Sequence, residues 1–487
     1  MKKKGLLVIL AVLVGVVAIG LLVHNLSGSA GGKSEIIDDH TFIDDDGEKI
    51  VLEEGESFDK IISLYSAHTE NLYTIGAGDK IIGVSSTSIY PPDAAYLPRY
   101  DYNSDPEKVI AAEPDLVIIR PFISRNYPDF VSTLKETGIT VVSLYPESSD
   151  EFEKYIEILG MLTGKEEAAT DQLALLNSRI EAINDQVKDI TDKKNVFFES
   201  TQTNYRTVTD DSNPGRAIVL AGGINIAAGA EAVEKGSTIA EFGIEKILMN
   251  ADDIDLYVSQ RGSMNAGGSS LSISQREGFD TIKAVKNGDI LELNEKIISS
   301  PTFRYYKGVN EIARALYPEI MDNYDDLKSD DPITREDYAI LTVKIDHSPI
   351  FIPSSSHYYE TTYYNHTYGM FEDVEWDDEN FDFIETSVLH SFLKSNKSSD
   401  GTETFDKESY VTREDLADTV NIMLDLTADE EATDIADLDA CENATIVQKV
   451  VGSGLMTTTD GLFEPQKTVT ANEAIEVLVK AKAMEEE

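Results

Sequence analysis

Cysteine and positive charge are both scarce in this sequence. A single cysteine, Cys441, excludes a disulfide within the chain. Lysine and arginine together number 41 against 89 aspartates and glutamates, which gives a formal net charge of −48. A face that binds nucleic acid needs clustered positive charge to match the phosphates. A nucleic-acid partner is therefore excluded, and a soluble, self-repelling acidic surface is expected.

Motifs for catalysis and cofactor binding are also missing. The sequence has no phosphate-binding glycine loop, no serine in a nucleophile elbow and no histidine cluster with metal-ligand spacing. We therefore expect a binding protein rather than an enzyme, with no cofactor and no metal site.

The amino terminus has three lysines followed by an uninterrupted apolar run over residues 5–23. A secretory signal has an apolar core of roughly 7–15 residues, whereas crossing a bilayer takes about 20. The run favours an uncleaved membrane anchor within residues 1–31, and a signal peptide cleaved near residues 28–30 stays open. Both alternatives place the rest of the chain outside the cytoplasm, because the lysines stay inside. No cysteine follows the run, so lipid attachment there is not expected.

Three short apolar segments alternate with helical segments in the first third of the chain. The segments 60–64, 80–84 and 115–120 are predicted strands, and each ends in a polar, aromatic or arginine-bearing turn. A β-α-β-α-β run predicts a parallel sheet with crossover helices. Ligands bind beyond the carboxyl ends of such strands. The turns after these strands are therefore the first place to look for a binding site.

The residues of this region resemble a known family. SLYSAHTENLYTIGAGDKIIGVS, IYPPDA and PEKVIAAEPDLVII are similar to the amino-terminal lobe of the iron-complex and cobalamin substrate-binding proteins, the extracytoplasmic receptors of ABC importers. The resemblance continues to about Asp325, and SPTFRYYKGVNEIARALYP resembles the closing helix of the family. It implies an α/β fold with two Rossmann-like lobes joined by a long helix, the class III periplasmic-binding fold.

The domain boundaries follow from this resemblance and from the pattern of the sequence. A lead-in segment over residues 32–57, with a hairpin around Asp46 and Gly47, precedes a substrate-binding domain over residues 58–325. Lobe one covers residues 58–148, a linker helix 149–192 and lobe two 193–325. Apolar residues repeat at three- and four-residue spacing from Leu173 to Val187, which predicts one apolar helix face. An ordinary surface helix of one lobe is the alternative.

The candidate ligand-binding side chains lie at the predicted strand ends of both lobes. They are His68, Tyr90, Arg120 and Arg125 in lobe one, and Tyr205, Arg206, Arg216, Arg261, Arg304 and Tyr305 in lobe two. Guanidinium groups suit carboxylates and phosphates, and tyrosine rings offer a flat apolar contact with a polar tip. The set suits a bulky anionic chelate or tetrapyrrole. Each of these side chains has the alternative of a surface or lobe-bracing role.

Two glutamates occupy equivalent places in the two lobes. IEKILMNADDIDLYVS in lobe two repeats the pattern of PEKVIAAEPDLVII in lobe one, which pairs Glu245 with Glu107. The family resemblance implies that one such glutamate per lobe docks onto arginines of the permease dimer. The alternative is a carboxylate that is favoured at a helix start by the helix dipole.

After Met321 the sequence becomes more acidic and three phrases recur: DPITREDYAILTVKI, ESYVTREDLADTVNIMLDL and KTVTANEAIEVLVKAKA. Each has a threonine helix cap followed three residues later by an acidic residue, a loose form of the capping box. Such periodic similarity indicates a repeat module. The predicted module covers residues 329–487 and is mostly α-helical.

These repeats resemble S-layer homology repeats. The resemblance implies that an arginine of the Thr-Arg-Glu motif helps to bind an acidic wall polysaccharide, and Arg335 and Arg413 match that arginine. The third repeat has Ala471 in its place, so its site is expected to be weak or structural. A degenerate module that contacts only other proteins is the alternative.

Together these features predict the extracytoplasmic substrate-binding component of an ABC importer. It would capture a ferric siderophore, haem or cobalamin between two lobes and deliver it to the permease dimer at the cell surface. The amino-terminal segment, the wall-binding repeats or both would retain it there. The alternative is a wall-associated structural or adhesion protein that keeps a receptor fold without transport.

Overall fold

Residues 34–234, 237–351, 362–363, 366–367, 369, 371–426 and 434–485 are described by a computed structural model. The predicted leader over residues 1–31 lies outside them. None of the helices in these ranges has the length and hydropathy needed to cross a bilayer.

The lead-in segment forms a small antiparallel sheet. Its strands are β1 (Glu35–Asp38), β2 (Thr41–Ile43) and β3 (Lys49–Val51), in the order β1-β2-β3. The buried carboxylate of Asp44 accepts the N–H groups of Asp46 and Glu48 in the turn and that of Ser143 in lobe one. The predicted hairpin is confirmed, and the Asp44 carboxylate fastens it to lobe one.

Lobe one is a parallel four-stranded sheet with helices on both faces. The strands are β4 (Ile61–Ser63), β5 (Ile81–Val84), β6 (Leu116–Ile119) and β7 (Thr140–Ser143), in the order β5-β4-β6-β7. The helices are α1 (Ser66–Thr74), α2 (Glu107–Ile110), α3 (Pro121–Asn126) and α4 (Pro128–Glu136). Strand β6 is buried on both faces, because Leu116 and Ile118 join one apolar core while Val117 and Ile119 join the other.

The linker between the lobes is two helices, which corrects the prediction of one long helix over residues 149–192. They are α5 (Ser149–Thr163) and α6 (Glu166–Val187). Gly164 separates them at φ +65°, a left-handed conformation that favours glycine and ends α5. Helix α6 links the lobes, since Leu176 lies in a core of lobe one and Ile183 and Val187 lie in a core of lobe two.

Lobe two repeats the architecture of lobe one. Strands β8 (Asn195–Glu199), β10 (Ile224–Asn225), β12 (Leu256–Arg261) and β13 (Ile290–Asn294) form a parallel sheet in the order β10-β8-β12-β13, and β9 (Thr207–Val208) pairs with β11 (Ile239–Ala240). The helices are α7 (Asn213–Leu220), α8 (Ile244–Met249), α9 (Ser270–Ser274), α10 (Lys283–Asn287), α11 (Glu295–Ile298), α12 (Tyr305–Leu316) and α13 (Pro318–Met321).

The C-terminal part, here called the C-terminal module (the described residues from 329 to 485), is mostly helical. Its helices are α14 (Arg335–Asp346), α15 (Phe381–Leu389), α16 (Arg413–Leu424), α17 (Ala444–Gly452) and α18 (Ala471–Glu485). Two short antiparallel pairs also occur, β14 (Thr362–Tyr363) with β15 (His366–Thr367) and β16 (Asn396–Lys397) with β17 (Glu403–Thr404).

The three recurring phrases close a ring of backbone hydrogen bonds in this module. The N–H of Ile333 donates to the carbonyl of Val469, Val469 donates to Val411, and Val411 donates to Ile333, at 3.0–3.1 Å. Thr412 forms a reciprocal capping box with Asp415, tighter than the loose form expected from the sequence. The ring joins the three recurring phrases to one another through one residue of each. Their assignment as S-layer homology repeats stays a prediction.

Candidate functional site

The two lobes meet where the segments that follow β4 and β13 come into contact. The amide nitrogen of Asn71 on α1 donates to the carbonyl of Pro301 at 2.9 Å. Lys296 of lobe two reaches the hydroxyl of Ser66 at 3.4 Å. Both segments follow the carboxyl end of a parallel strand, the position at which such sheets bind ligands. The cleft beside this junction is therefore the candidate ligand site.

Arg120, at the end of β6, is the cation best placed for a ligand. Its guanidinium lies 4.9 Å from the ring centre of Tyr65 and 5.0 Å from that of Phe122, and the side chain is half-buried. Among the described residues, Arg120 has no carboxylate ion-pair partner. A guanidinium held between two rings, with its charge unpaired, is a site for an anionic group.

An aromatic cluster that the sequence analysis missed lies next to Arg120. The ring of Tyr102 lies 4.8 Å from that of Tyr127 and 6.0 Å from that of Phe122, and Phe122 is 38% exposed. Tyr102 and Tyr127 also line a recess of about 330 Å³. The Arg-Pro-Phe turn was visible in the sequence, but nothing there indicated that Tyr102 and Tyr127 join it. The cluster offers a flat ligand an apolar stacking surface beside a positive charge.

His68 is fully buried, which corrects its prediction as a ligand-contacting residue. Its ring nitrogens contact the Tyr155 hydroxyl at 2.8 Å and the Ile119 carbonyl at 3.1 Å. Burial lowers the pKa of His68 to about 3, so the ring is neutral at physiological pH. It supports the end of β6, next to Arg120.

This burial predicts a specific sensitivity to acid. A depressed histidine pKa contributes stability above the unfolded-state pKa of about 6.5, and that stability is lost as pH falls toward the folded-state value. By pH 5 the loss from His68 should reach about 2 kcal/mol. Urea denaturation at pH 7 and pH 5 should show a shallower pH dependence for His68→Phe than for the unmodified protein. His40→Gln, at an exposed histidine, is the control. Equal slopes for His68→Phe and the unmodified protein would contradict this account.

Arg304 and Tyr90 were predicted to contact a ligand, but both side chains are buried. Arg304 donates two hydrogen bonds to the carboxylate of Glu70, each 2.7 Å long, across the junction of the lobes. Its guanidinium lies 3.8 Å from the ring centre of Tyr90. Both side chains are only 7% exposed. The lobe-bracing alternative therefore describes them better than ligand contact.

Two other predicted arginines of lobe two have carboxylate partners but stay partly exposed. Arg206 pairs with Glu241 at 3.1 Å, and Arg261 pairs with Glu292 at 3.0 Å. Their side chains are 29% and 26% exposed. Such neutralised arginines contribute less to the attraction of an anion than Arg120 does.

The remaining predicted side chains differ in accessibility. The Tyr305 hydroxyl donates to the Asn213 carbonyl at 2.8 Å, and burial raises the pKa of Tyr305, which the nearby charge of Arg216 opposes. Tyr205 packs 5.8 Å from the ring of Phe279. Arg125 is exposed on α3, where its Nε donates to the Pro121 carbonyl. The structure thus brings Arg216 and Tyr305 together, and it leaves Arg125 on the surface of lobe one.

A buried ion pair that the sequence analysis also missed supports the rim of lobe two. Glu199, at the end of β8, is fully buried and accepts hydrogen bonds from Arg276, from the Tyr257 hydroxyl at 2.6 Å and from Asn265 at 3.0 Å. Asn265 in turn accepts the N–H of Gln202 at 2.7 Å. One carboxylate therefore fixes both loops that follow β8 and β12.

Glu107 and Glu245 occupy matching places on the two lobes. Glu107 lies in the first turn of α2 and Glu245 in the first turn of α8, and both side chains are exposed. Each helix precedes a central strand of its sheet, β6 or β12. The positions fit either a docking contact or a favourable helix start.

Arg335 and Arg413 make the same contacts in two successive repeats. Arg335 donates to the carbonyls of Phe405 and Lys394, and Arg413 donates to those of Phe463 and Thr457. The Arg335 guanidinium lies 4.8 Å from the ring centre of Phe405, and the Arg413 guanidinium lies 4.8 Å from that of Phe463. Arg335 is 9% exposed, whereas Arg413 is half-buried. Both arginines thus hold the loops of the module, and Arg413 is the more accessible to a ligand.

Within the described ranges, no group of three or more His, Cys, Asp or Glu side chains converges as a metal site.

The two-lobed region is similar to a known family. Residues 61–297 match the family model described as periplasmic binding protein. The two parallel sheets joined by α6 confirm the predicted class III fold.

Similar proteins align over about half of the chain. An uncharacterized ABC transporter substrate-binding lipoprotein of Bacillus subtilis is 27% identical over 265 residues, 53% of this chain and 80% of that protein. A vitamin B12-binding protein of Vibrio campbellii is 28% identical over 256 residues, 52% of this chain and 87% of that protein. Among solved structures, the periplasmic vitamin B12-binding protein of Vibrio cholerae is 25% identical with a TM-score of 0.43, and it covers 55% of this chain and 99% of its own.

Proposed function

We propose that this protein is the extracytoplasmic substrate-binding component of an ABC importer. It captures a metal chelate between its two lobes and delivers it to a membrane permease. The guanidinium of Arg120, which contacts two rings near the junction of the lobes and has no ion-pair partner in the described part of the chain, carries the proposal. The family match of residues 61–297 supports it, as do the names of two relatives, an ABC transporter substrate-binding lipoprotein and a vitamin B12-binding protein.

The ligand class follows from the two surfaces at the end of β6. The aromatic cluster of Tyr102, Phe122 and Tyr127 suits a flat ring system, and Arg120 beside it suits a carboxylate or phosphate on that ring. Haem and cobalamin combine both features. A ferric siderophore fits less well, because its chelate lacks a large flat ring.

Titration of the full chain with haemin, cyanocobalamin and a ferric hydroxamate tests this assignment. Arg120→Ala should weaken binding of the accepted ligand by about 1.5–3 kcal/mol, the usual value of a hydrogen bond to a charged group. Arg125→Ala, at the exposed arginine in the last turn of α3, should bind as the unmodified protein does. Unchanged affinity in Arg120→Ala would refute an anionic contact at this position.

We further propose that Glu107 and Glu245 dock onto the permease. Exposed charges at an interface rim mainly set encounter and register, so the double variant Glu107→Ala/Glu245→Ala should keep its ligand affinity and lose uptake. The measurement is uptake of labelled ligand by cells that carry the variant at a normal surface level. The matched control is Glu136→Ala/Glu231→Ala, which removes one exposed glutamate from each lobe. Normal uptake by the first double variant would rule out the docking role.

Attachment to the cell wall is a separate proposal, supported by the ring of three repeats and by the half-buried Arg413. The full chain should sediment with purified sacculi at low and moderate salt, since a contacting guanidinium is screened less than distant charges are. Arg413→Ala should weaken this, whereas Arg413→Lys, which keeps the charge, should weaken it less. A full chain that stays in the supernatant at both salt concentrations would contradict wall attachment.

A further inference from the structure

The C-terminal module packs directly on lobe one. Ile89 and Tyr90, in the loop after β5, belong to the same apolar core as the helices of the module. The ring of Trp376, the single tryptophan of the chain, meets Tyr90 edge to face at 5.6 Å between ring centres. Lobe one therefore contributes two side chains to the core of the module.

The same module also holds lobe two, through polar contacts along α12. Lys307 forms a largely buried ion pair with Asp382 of the module. Although burial opposes the charge of Lys307, the Asp382 carboxylate raises its pKa above the usual range. Further along α12, Glu311 accepts the N–H of Ile350 at 2.9 Å and Arg314 donates to the Ser348 carbonyl at 3.0 Å. These groups are buried, where hydrogen bonds to charged partners stabilise most.

The two sets of contacts converge on the ion pair that joins the lobes. Trp376 packs on Tyr90, Tyr90 packs under the guanidinium of Arg304, and Arg304 pairs with Glu70. The stack therefore begins in the module and passes through lobe one at Tyr90 and lobe two at Arg304. It ends in lobe one at Glu70. Movement of one lobe relative to the other would have to disrupt it.

We propose that the C-terminal module is a brace that fixes the relative orientation of the two lobes through this stack. Motion between domains is the normal expectation unless the interface between them is large and apolar. Here the module adds an apolar contact on lobe one and a buried ion pair on lobe two, so that each lobe is held against a common body. The proposal is independent of which ligand the cleft accepts, because it concerns only the lobes and the module.

The distance between two spin labels in the full chain tests the brace. Glu136 on α4 and Lys286 on α10 are exposed, one on each lobe, and the labels are attached in the variant Glu136→Cys/Lys286→Cys. Cys441→Ser removes the only other thiol. Double electron–electron resonance on this protein should give one narrow distance distribution. With Trp376→Ala added, the distribution should broaden about twofold or shift, as expected when a packed interface that limits domain motion is lost.

Two further variants keep the test decisive. Tyr410→Ala truncates a 53% exposed ring in the same module and should leave the distribution unchanged. Asp382→Asn removes the ion pair on lobe two without a cavity, and it should broaden the distribution even if Trp376→Ala does not fold. The brace is overturned if neither Trp376→Ala nor Asp382→Asn changes the distribution, or if Tyr410→Ala changes it equally.

Discussion

Replacing Arg304 by alanine is expected to lower the free energy of unfolding by about 3–5 kcal/mol, the usual loss when one partner of a buried ion pair is removed. Glu70 is only 4% exposed. The variant leaves its carboxylate without the two 2.7 Å hydrogen bonds that compensate its charge in the unmodified protein. It also removes the cation that packs on the ring of Tyr90. Urea denaturation at neutral pH, followed by circular dichroism, measures the change.

Two controls separate the ion pair from a general effect of losing an arginine. Arg125→Ala, at the surface of α3, should change stability by less than about 0.5 kcal/mol. The double variant Glu70→Gln/Arg304→Met leaves no unpaired charge and should regain most of the loss. A single variant Arg304→Ala as stable as Arg125→Ala would show that the pair does not hold the lobes.

Glu199→Ala is expected to have an effect of similar size, about 3–5 kcal/mol. Glu199 is fully buried and is the common acceptor for Arg276, Tyr257 and Asn265. Its removal leaves a guanidinium and a phenol without their carboxylate, and it leaves the Asn265 amide with only the Ser259 hydroxyl at 3.2 Å. Burial raises the pKa of Tyr257 strongly, and the charge of Glu199 adds to that effect. The phenol therefore stays protonated and cannot replace the lost negative charge.

The same denaturation experiment measures this loss, with Glu231→Ala at an exposed glutamate of lobe two as the control. The Asn265 contact to Gln202 links Glu199 to both loops of the rim. Glu199→Ala should therefore also raise the amide hydrogen exchange of residues 200–206 and 262–268. Normal stability with unchanged exchange in these loops would contradict the role assigned to Glu199.

The sheets could be predicted from the sequence because their signals are local. The apolar runs at β4, β5 and β6 are short, bounded by turns and buried on both faces, so composition alone locates them. The apolar face of α6 was equally visible. The break at Gly164 had a local signal as well, since glycine followed by Lys165 and Glu166 is typical of one helix ending and another starting.

The site was less predictable because its pairs are distant in sequence. Glu70 and Arg304 are 234 positions apart, and no local pattern indicates that Arg304 serves the junction of the lobes rather than a ligand. The sequence can place an arginine at a strand end, but it does not show whether a carboxylate from another element neutralises the charge. Arg120 was identified correctly as a residue of the strand end, while its aromatic neighbours Tyr102 and Tyr127 come from separate turns.

The capture of a metal chelate is tested most directly by native mass spectrometry of the full chain purified from its own host. The account predicts one chelate per chain, with a mass that matches a tetrapyrrole or a related metal complex. The bound mass should be lost or reduced in Arg120→Ala and retained in Arg125→Ala. A protein that carries no adduct, and that acquires none after incubation with haemin, cyanocobalamin or a ferric hydroxamate, would contradict the proposed function.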